Sequence, residues 1–184
     1  MGTRRSWLAF LVLLLPAAAR ADDHWVDASA AYSQAEGFSR LKGGHFAVTV
    51  PLGHIDQTLI PRTKTKNWNL TLDYSYHDGV HDTALLRQHT LMAGVRYTRK
   101  HAPHAKNLFF YQGSIGGAFS HGSSLDGKRG AVAGGVGWEI LARGDEPVLV
   151  GYRNQTDVVF MFGSGQQKAY LRYSTGVILR IGEH

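Results

Sequence analysis

Apolar and polar residues alternate along most of the chain, with the two-residue period of β-strands whose two faces differ chemically. In the clearest stretch, residues 68–77, the even positions are Trp, Leu, Leu, Tyr and Tyr, and the odd positions are Asn, Thr, Asp, Ser and His. The same alternation predicts eight strands within the following ranges: Val26–Ser33, His45–Leu52, Trp68–His77, Thr90–Thr98, Phe109–Phe119, Ala131–Ile140, Val148–Phe160 and Leu171–Ile181.

Segments rich in turn-forming residues separate most of these strands. They are Glu36–Gly44, His77–Thr83, His121–Lys128, Arg143–Pro147 and Gly163–Gln167. Apart from the first two, the strands approach or exceed the roughly 9–11 residues that a tilted strand needs to cross a bilayer. We therefore predict an all-β fold, an eight-stranded antiparallel transmembrane β-barrel with up-and-down meander connections.

One face of the predicted strands carries small residues and isolated charges, and the other carries large aliphatic and aromatic residues. Small and charged residues suit the narrow interior of an eight-stranded barrel, which its own side chains fill, whereas large apolar residues suit a wall that faces lipid. We predict a structural charge network in the lumen, formed by Asp73, Arg96, Glu139, Arg153, Asp157 and Arg172.

The positions of the aromatic residues distinguish a membrane barrel from a soluble one. If the mature N-terminus is periplasmic, two aromatic girdles result, as a membrane barrel requires. The periplasmic girdle contains Trp68, Tyr97, Tyr111 and Trp138, and the opposite girdle contains Tyr32, Tyr76, Phe119 and Tyr173. A soluble β-sandwich or lipocalin-like barrel also shows alternation, but it gives no reason for two girdles.

The N-terminus has the features of a secretory signal peptide. Arg4 and Arg5 precede an apolar run, and Ala19-Arg20-Ala21 fits the cleavage rule. We predict a cleaved signal peptide at residues 1–21 and an outer-membrane barrel domain at residues 22–184. Export removes three of the 20 basic residues of the 184-residue chain and leaves 17 against 14 acidic ones, so a nucleic-acid partner is not expected.

The mature chain resembles the eight-stranded outer-membrane barrels, the group that contains the OmpA barrel domain and OmpX-like proteins. The resemblance is carried by residues 28–33, His89–Arg99, Gly130–Glu139 and Tyr170–Gly182. It implies a bacterial outer-membrane location, contact with lipopolysaccharide and outer-membrane lipid, insertion by the barrel-assembly machinery, and a monomer. Such barrels usually end on an aromatic residue; here Ile181 takes that place, or assembly recognition differs.

Candidate catalytic and metal-binding residues are few. The chain has no cysteine, and it contains neither a GxSxG nor an HExxH motif. His77–Asp82 contains two histidines and two aspartates, which are ordinary turn residues but also compatible with a metal. Some barrels of this group modify lipid A, and a deacylase of that kind would carry a histidine two residues before a serine on a lipid-facing strand. Here Arg172 stands two residues before Ser174.

The sequence thus predicts an integral outer-membrane barrel with a filled lumen and a structural or interaction role, without catalysis, cofactor or metal. A lipid A-modifying enzyme and a small porin remain alternatives.

Overall fold

The computed structural model describes residues 25–37, 40–52, 68–81, 83–100, 107–122, 126–142, 147–163 and 168–182. These residues form a closed barrel in which every strand pairs antiparallel with the next and β8 pairs with β1. The strands are β1 (Trp25–Glu36), β2 (Leu41–Pro51), β3 (Trp68–His81), β4 (Ala84–Lys100), β5 (Asn107–His121), β6 (Gly127–Leu141), β7 (Val148–Phe162) and β8 (Lys168–Gly182). The predicted fold class is confirmed, while the predicted signal peptide lies outside the described residues.

The predicted turn segment His77–Thr83 begins too early, because β3 continues to His81. Its ladder with β4 runs without interruption to the pair His81–Ala84, and Thr83, with a φ of 70°, lies in the tight turn between the two strands. The alternation of faces also continues through this segment, so its polar residues belong to a strand that projects beyond the apolar part of the wall.

Strand β2 begins at Leu41, earlier than the glycines at positions 43 and 44 suggested. Gly43 allows β2 and β3 to approach closely, since a Cβ atom there would come within 1.8 Å of the carbonyl oxygen of Tyr76. The glycine is therefore part of the sheet, and it marks a close approach of two backbones rather than a turn.

The distribution of apolar and charged residues is inverted relative to a soluble protein. Ile115 is 63% exposed on the outside of the barrel, and Val136 and Phe160 are exposed there too, whereas Asp157 and Arg172 are fully buried inside. A wall of exposed aliphatic and aromatic side chains around a charged interior is the arrangement of a barrel whose solvent is lipid. Among the described residues, no helix is long and apolar enough to cross a membrane.

Apolar side chains fill both ends of the lumen. At the end remote from the chain termini, Leu41, Leu86 and Met161 belong to one buried cluster. At the other end, Leu108, Leu141 and Ile178 form a second cluster. Most of the buried charged residues lie between these two clusters, whereas Asp27 and Arg180 pair closer to the end of β8 than Ile178 does.

Candidate functional site: the lumen charge network and the outer wall

Arg172 is the centre of the lumen network. It lies on β8, and its guanidinium binds carboxylates from two other strands. Nε donates to Asp157 Oδ2 at 2.9 Å, while Nη1 and Nη2 donate to the two oxygens of Asp73 at 3.0 and 2.8 Å. The strand register places Asp157 directly opposite Arg172, and Asp73 is reached across the lumen from β3. The barrel is narrow enough for one arginine to join both sides of the wall.

Histidine and glutamine side chains complete the hydrogen bonding of the two aspartates. Asp73 Oδ2 lies 3.0 Å from His45 Nε2. Asp157 accepts hydrogen bonds from Gln155 Nε2 at 2.9 and 2.7 Å and from Gln112 Nε2 at 3.1 Å. Buried charges are tolerated when they are both paired and hydrogen-bonded. A buried charge without a partner has a large desolvation cost.

A second group surrounds Glu139 on β6. Glu139 Oε1 accepts a hydrogen bond from Arg96 Nη1 at 2.8 Å and lies 3.9 Å from Arg153 Nε. Both guanidiniums also lie over the ring of Phe110, at 4.2 and 4.8 Å from its centroid. Phe110 has room because the neighbouring position is Gly137, where a Cβ atom would come within 2.2 Å of the Phe110 ring.

Sequence reasoning missed a third pair near the chain termini, Asp27 with Arg180. The guanidinium binds the carboxylate through two parallel hydrogen bonds of 2.7 Å and lies over the Trp25 ring at 4.1 Å. Arg180 belonged to the predicted inward face, but Asp27 lies in the weakly patterned first strand. In the sequence, only the alternation of Asp27 with the apolar residues Val26 and Ala28 indicated that Asp27 faces the lumen.

The structure thus brings all six predicted lumen residues inside the barrel and adds one acidic and one basic residue to them. The described lumen contains four buried carboxylates and four buried arginines: Asp27, Asp73, Glu139, Asp157, Arg96, Arg153, Arg172 and Arg180. Their formal charges balance. Together with the apolar clusters, this network occupies the interior of the barrel that the described residues form.

Ser174 and its neighbours do not form an accessible nucleophilic site. His77 Nε2 lies 2.9 Å from Ser33 Oγ, and Ser33 Oγ lies 3.0 Å from Ser174 Oγ. All three side chains are buried inside the barrel. A lipid on the outer wall cannot reach them, and a nucleophile must reach the atom that it attacks.

The metal-compatible residues of the segment 77–82 are divided between the two faces of β3. His77 points into the lumen, whereas Asp78 lies on the exposed face and accepts a hydrogen bond from the Tyr76 hydroxyl at 3.3 Å. Adjacent strand residues point to opposite sides, so these two cannot bind one ion together.

The eight girdle residues all lie on the outer wall, either exposed or half-exposed. Trp68, Tyr97, Tyr111 and Trp138 lie toward the strand ends nearest the chain termini, and Tyr32, Tyr76, Phe119 and Tyr173 lie toward the opposite ends. Trp68 packs on Tyr97 with 5.2 Å between ring centroids, and Trp138 packs on Tyr152 with 5.5 Å.

Neither a protein-family model nor a curated protein matches the sequence. Solved structures do match. Neisserial surface protein A, an eight-stranded outer-membrane barrel, has a TM-score of 0.57 and 10% identity, over 86% of this chain and 96% of its own. The chain has the fold of an eight-stranded outer-membrane barrel.

Two further structures of the same kind are less similar to this barrel. Ail of Yersinia pestis has a TM-score of 0.49 and 9% identity, over 86% of this chain and 97% of its own. The N-terminal barrel domain of Pseudomonas aeruginosa OprF has a TM-score of 0.47 and 12% identity, over 85% and 97%. At these identities the likeness concerns the fold, and the role of the outer-membrane-type barrel has to be argued from its own residues.

Proposed function

We propose that the protein is an integral protein of the bacterial outer membrane, exported through a cleaved signal peptide, with a structural or interaction role and no catalysis. The observation that carries this proposal is the inversion of the barrel, with aliphatic and aromatic residues outside and balanced ion pairs inside. In water the exposed wall would be a very large apolar patch. In a bilayer the same wall contacts the apolar acyl chains of the lipid.

Lipopolysaccharide is the partner that the outer rim favours. At the end remote from the termini, Lys42, Asp78, Arg87 and His121 are neighbours across β2 to β5, and all are exposed. The next row toward the membrane includes Tyr76 and His89, whose rings lie 4.9 Å apart, together with Phe119 and Lys128. Lys42 and Arg87 above an aromatic row suit the phosphates of lipid A above its acyl chains.

The barrel-assembly machinery is the route of insertion that this proposal includes, and the end of β8 is the segment that bears on it. Ile181 lies on the outer wall in the penultimate position of β8, where the terminal aromatic of related barrels is expected. The pairing of β8 with β1, from Trp25–Gly182 to Glu36–Leu171, closes the wall.

A single reconstitution separates this role from the enzyme and the porin. We expect the purified protein, in planar bilayers containing lipopolysaccharide, to show no stepwise conductance and to leave the mass of lipid A unchanged. The physical reason is the lumen, which ion pairs and two apolar clusters fill. A porin inserted in the same bilayers is the positive control. Steady conductance steps would favour the porin, and a change in lipid A mass would favour the enzyme.

A further inference from the structure

In the part of the chain that the structure describes, the outer wall carries a group of polar side chains in the middle of β7 and β8. We name it the β7–β8 polar patch, and it consists of Tyr152, Asn154, Thr156 and Thr175. The first three are the outward positions of β7, which alternate with the buried lumen residues Arg153, Gln155 and Asp157. Asn154 is the cross-strand partner of Thr175.

Hydrogen bonds within the β7–β8 polar patch use only part of its capacity. Asn154 Nδ2 donates to the Tyr152 hydroxyl at 3.2 Å, and this hydroxyl also contacts Thr175 Oγ1. A carboxamide has a second N–H and a carbonyl oxygen. Within the described ranges, neither of these groups of Asn154 has a partner, and the Thr156 hydroxyl has none either.

Elsewhere the middle of the outer wall is apolar. There, one row of cross-strand neighbours runs through Leu72, Ala93, Ile115 and Val132, and the first, third and fourth of these are exposed hydrophobic residues. In hydrocarbon an amide without hydrogen-bond partners is costly, because no water can replace them. A carboxamide in a membrane wall therefore indicates a contact with another polar surface.

We propose that the β7–β8 polar patch is the contact between two copies of this chain in the membrane. The proposal rests on the membrane location proposed above, and it departs from the monomer expected from the sequence. Among possible occupants a second copy fits best, because a carboxamide is self-complementary. Across a two-fold axis the free N–H of each Asn154 meets the carbonyl oxygen of the other, which gives two equal hydrogen bonds.

The surroundings of the patch allow two walls to approach closely. On one side the outward residues of β1 include Ala28 and Ala30, which pair with Leu179 and Val177 of β8. On the other side lies Gly134 of β6, where a Cβ atom would meet nothing within 4 Å. A groove of about 110 Å³ between β6 and β7, lined by Trp138 and Asn154 among others, offers room for a side chain of the second copy. Small residues beside polar ones are typical of contacts between membrane segments.

Single-cysteine cross-linking tests the contact in native membranes, and the natural chain has no cysteine to interfere. Thr156→Cys lies inside the patch, and Ile115→Cys is the matched control, a lipid-facing position on β5. With a short bifunctional maleimide we expect a covalent dimer from Thr156→Cys and none from Ile115→Cys. Equal cross-linking of both variants, or of neither, would overturn the proposal.

A second variant measures the contribution of the carboxamide itself. We expect Asn154→Leu to weaken dimer association in vesicles by about tenfold, since two modest hydrogen bonds between membrane segments are lost. Asn154→Gln should retain most of the association. An unchanged association constant in Asn154→Leu would contradict the proposal. Heat-modifiable gel mobility reports folding of each variant, so a folded monomer in the membrane refutes only the dimer, whereas absence from the membrane refutes the proposed function.

Discussion

Replacing Arg172 by leucine will lower the free energy of unfolding by about 3–5 kcal/mol, the usual cost of breaking a buried ion pair by removing one partner. Arg172 is fully buried, and its guanidinium binds Asp157 at 2.9 Å and Asp73 at 2.8 Å. Without it both carboxylates remain inside a closed wall and lose the guanidinium that joins them. Urea unfolding in lipid vesicles, followed by tryptophan fluorescence and heat-modifiable mobility, measures the loss.

A double-mutant cycle shows whether this cost comes from the ion pair. Arg172→Leu combined with Asp157→Leu should cost less than the sum of the two single variants, because the double variant no longer leaves Asp157 without its cation. The matched comparison is the looser pair Glu139 and Arg153, whose nearest charged atoms lie 3.9 Å apart. We expect a smaller coupling there. Strict additivity in both cycles would mean that each group is separately solvated, as in a water-filled pore.

Replacing Ile115 by arginine will destabilise the barrel by about 2–4 kcal/mol, as expected for an arginine near the middle of the lipid-facing wall. Ile115 lies at the centre of β5 and is 63% exposed. Val80→Arg is the control, because Val80 is equally exposed at 65% but lies next to the last residue of β3. Near the membrane surface the same charge should cost only about 0–1 kcal/mol.

The comparison of these two variants is informative because their exposure in the barrel is the same. In a soluble barrel both positions would face water, and an arginine would be tolerated at each of them. Unfolding titrations in vesicles give the two values. Equal effects of Ile115→Arg and Val80→Arg would contradict a depth-dependent, lipid-facing wall.

The sequence was sufficient to predict the fold because strands with one charged and one apolar face produce a period of two over long stretches. The same period assigns each residue to the inner or the outer face of the barrel. Asp73, Arg96 and Arg172 are buried on the inner face, as predicted. The pairing of charges could not be predicted in this way. It depends on the stagger of strands, which brings β8 opposite β3 across the lumen at Arg172 and Asp73.

The missed extension of β3 and the large inward ring of Phe110 both have local physical causes. His77 lies among Gly and Asp residues that are common in turns, but the ladder with β4 extends the strand beyond it and buries its ring beside Ser33. Phe110 lies on the inward face of β5, yet a large ring there is unexpected until the missing side chain of Gly137 on β6 is considered. A residue-type pattern along one strand does not reveal the space left by its neighbour.

The central claim, that this chain is a barrel whose apolar wall faces the lipid of the outer membrane, is tested most directly by one measurement. Cell membranes are separated by density, and the protein in each fraction is run on gels with and without heating. The account predicts that the protein is found in the outer-membrane fraction and migrates faster before heating than after, as a compact barrel that detergent does not unfold. A soluble periplasmic pool, or one mobility regardless of heating, would contradict it.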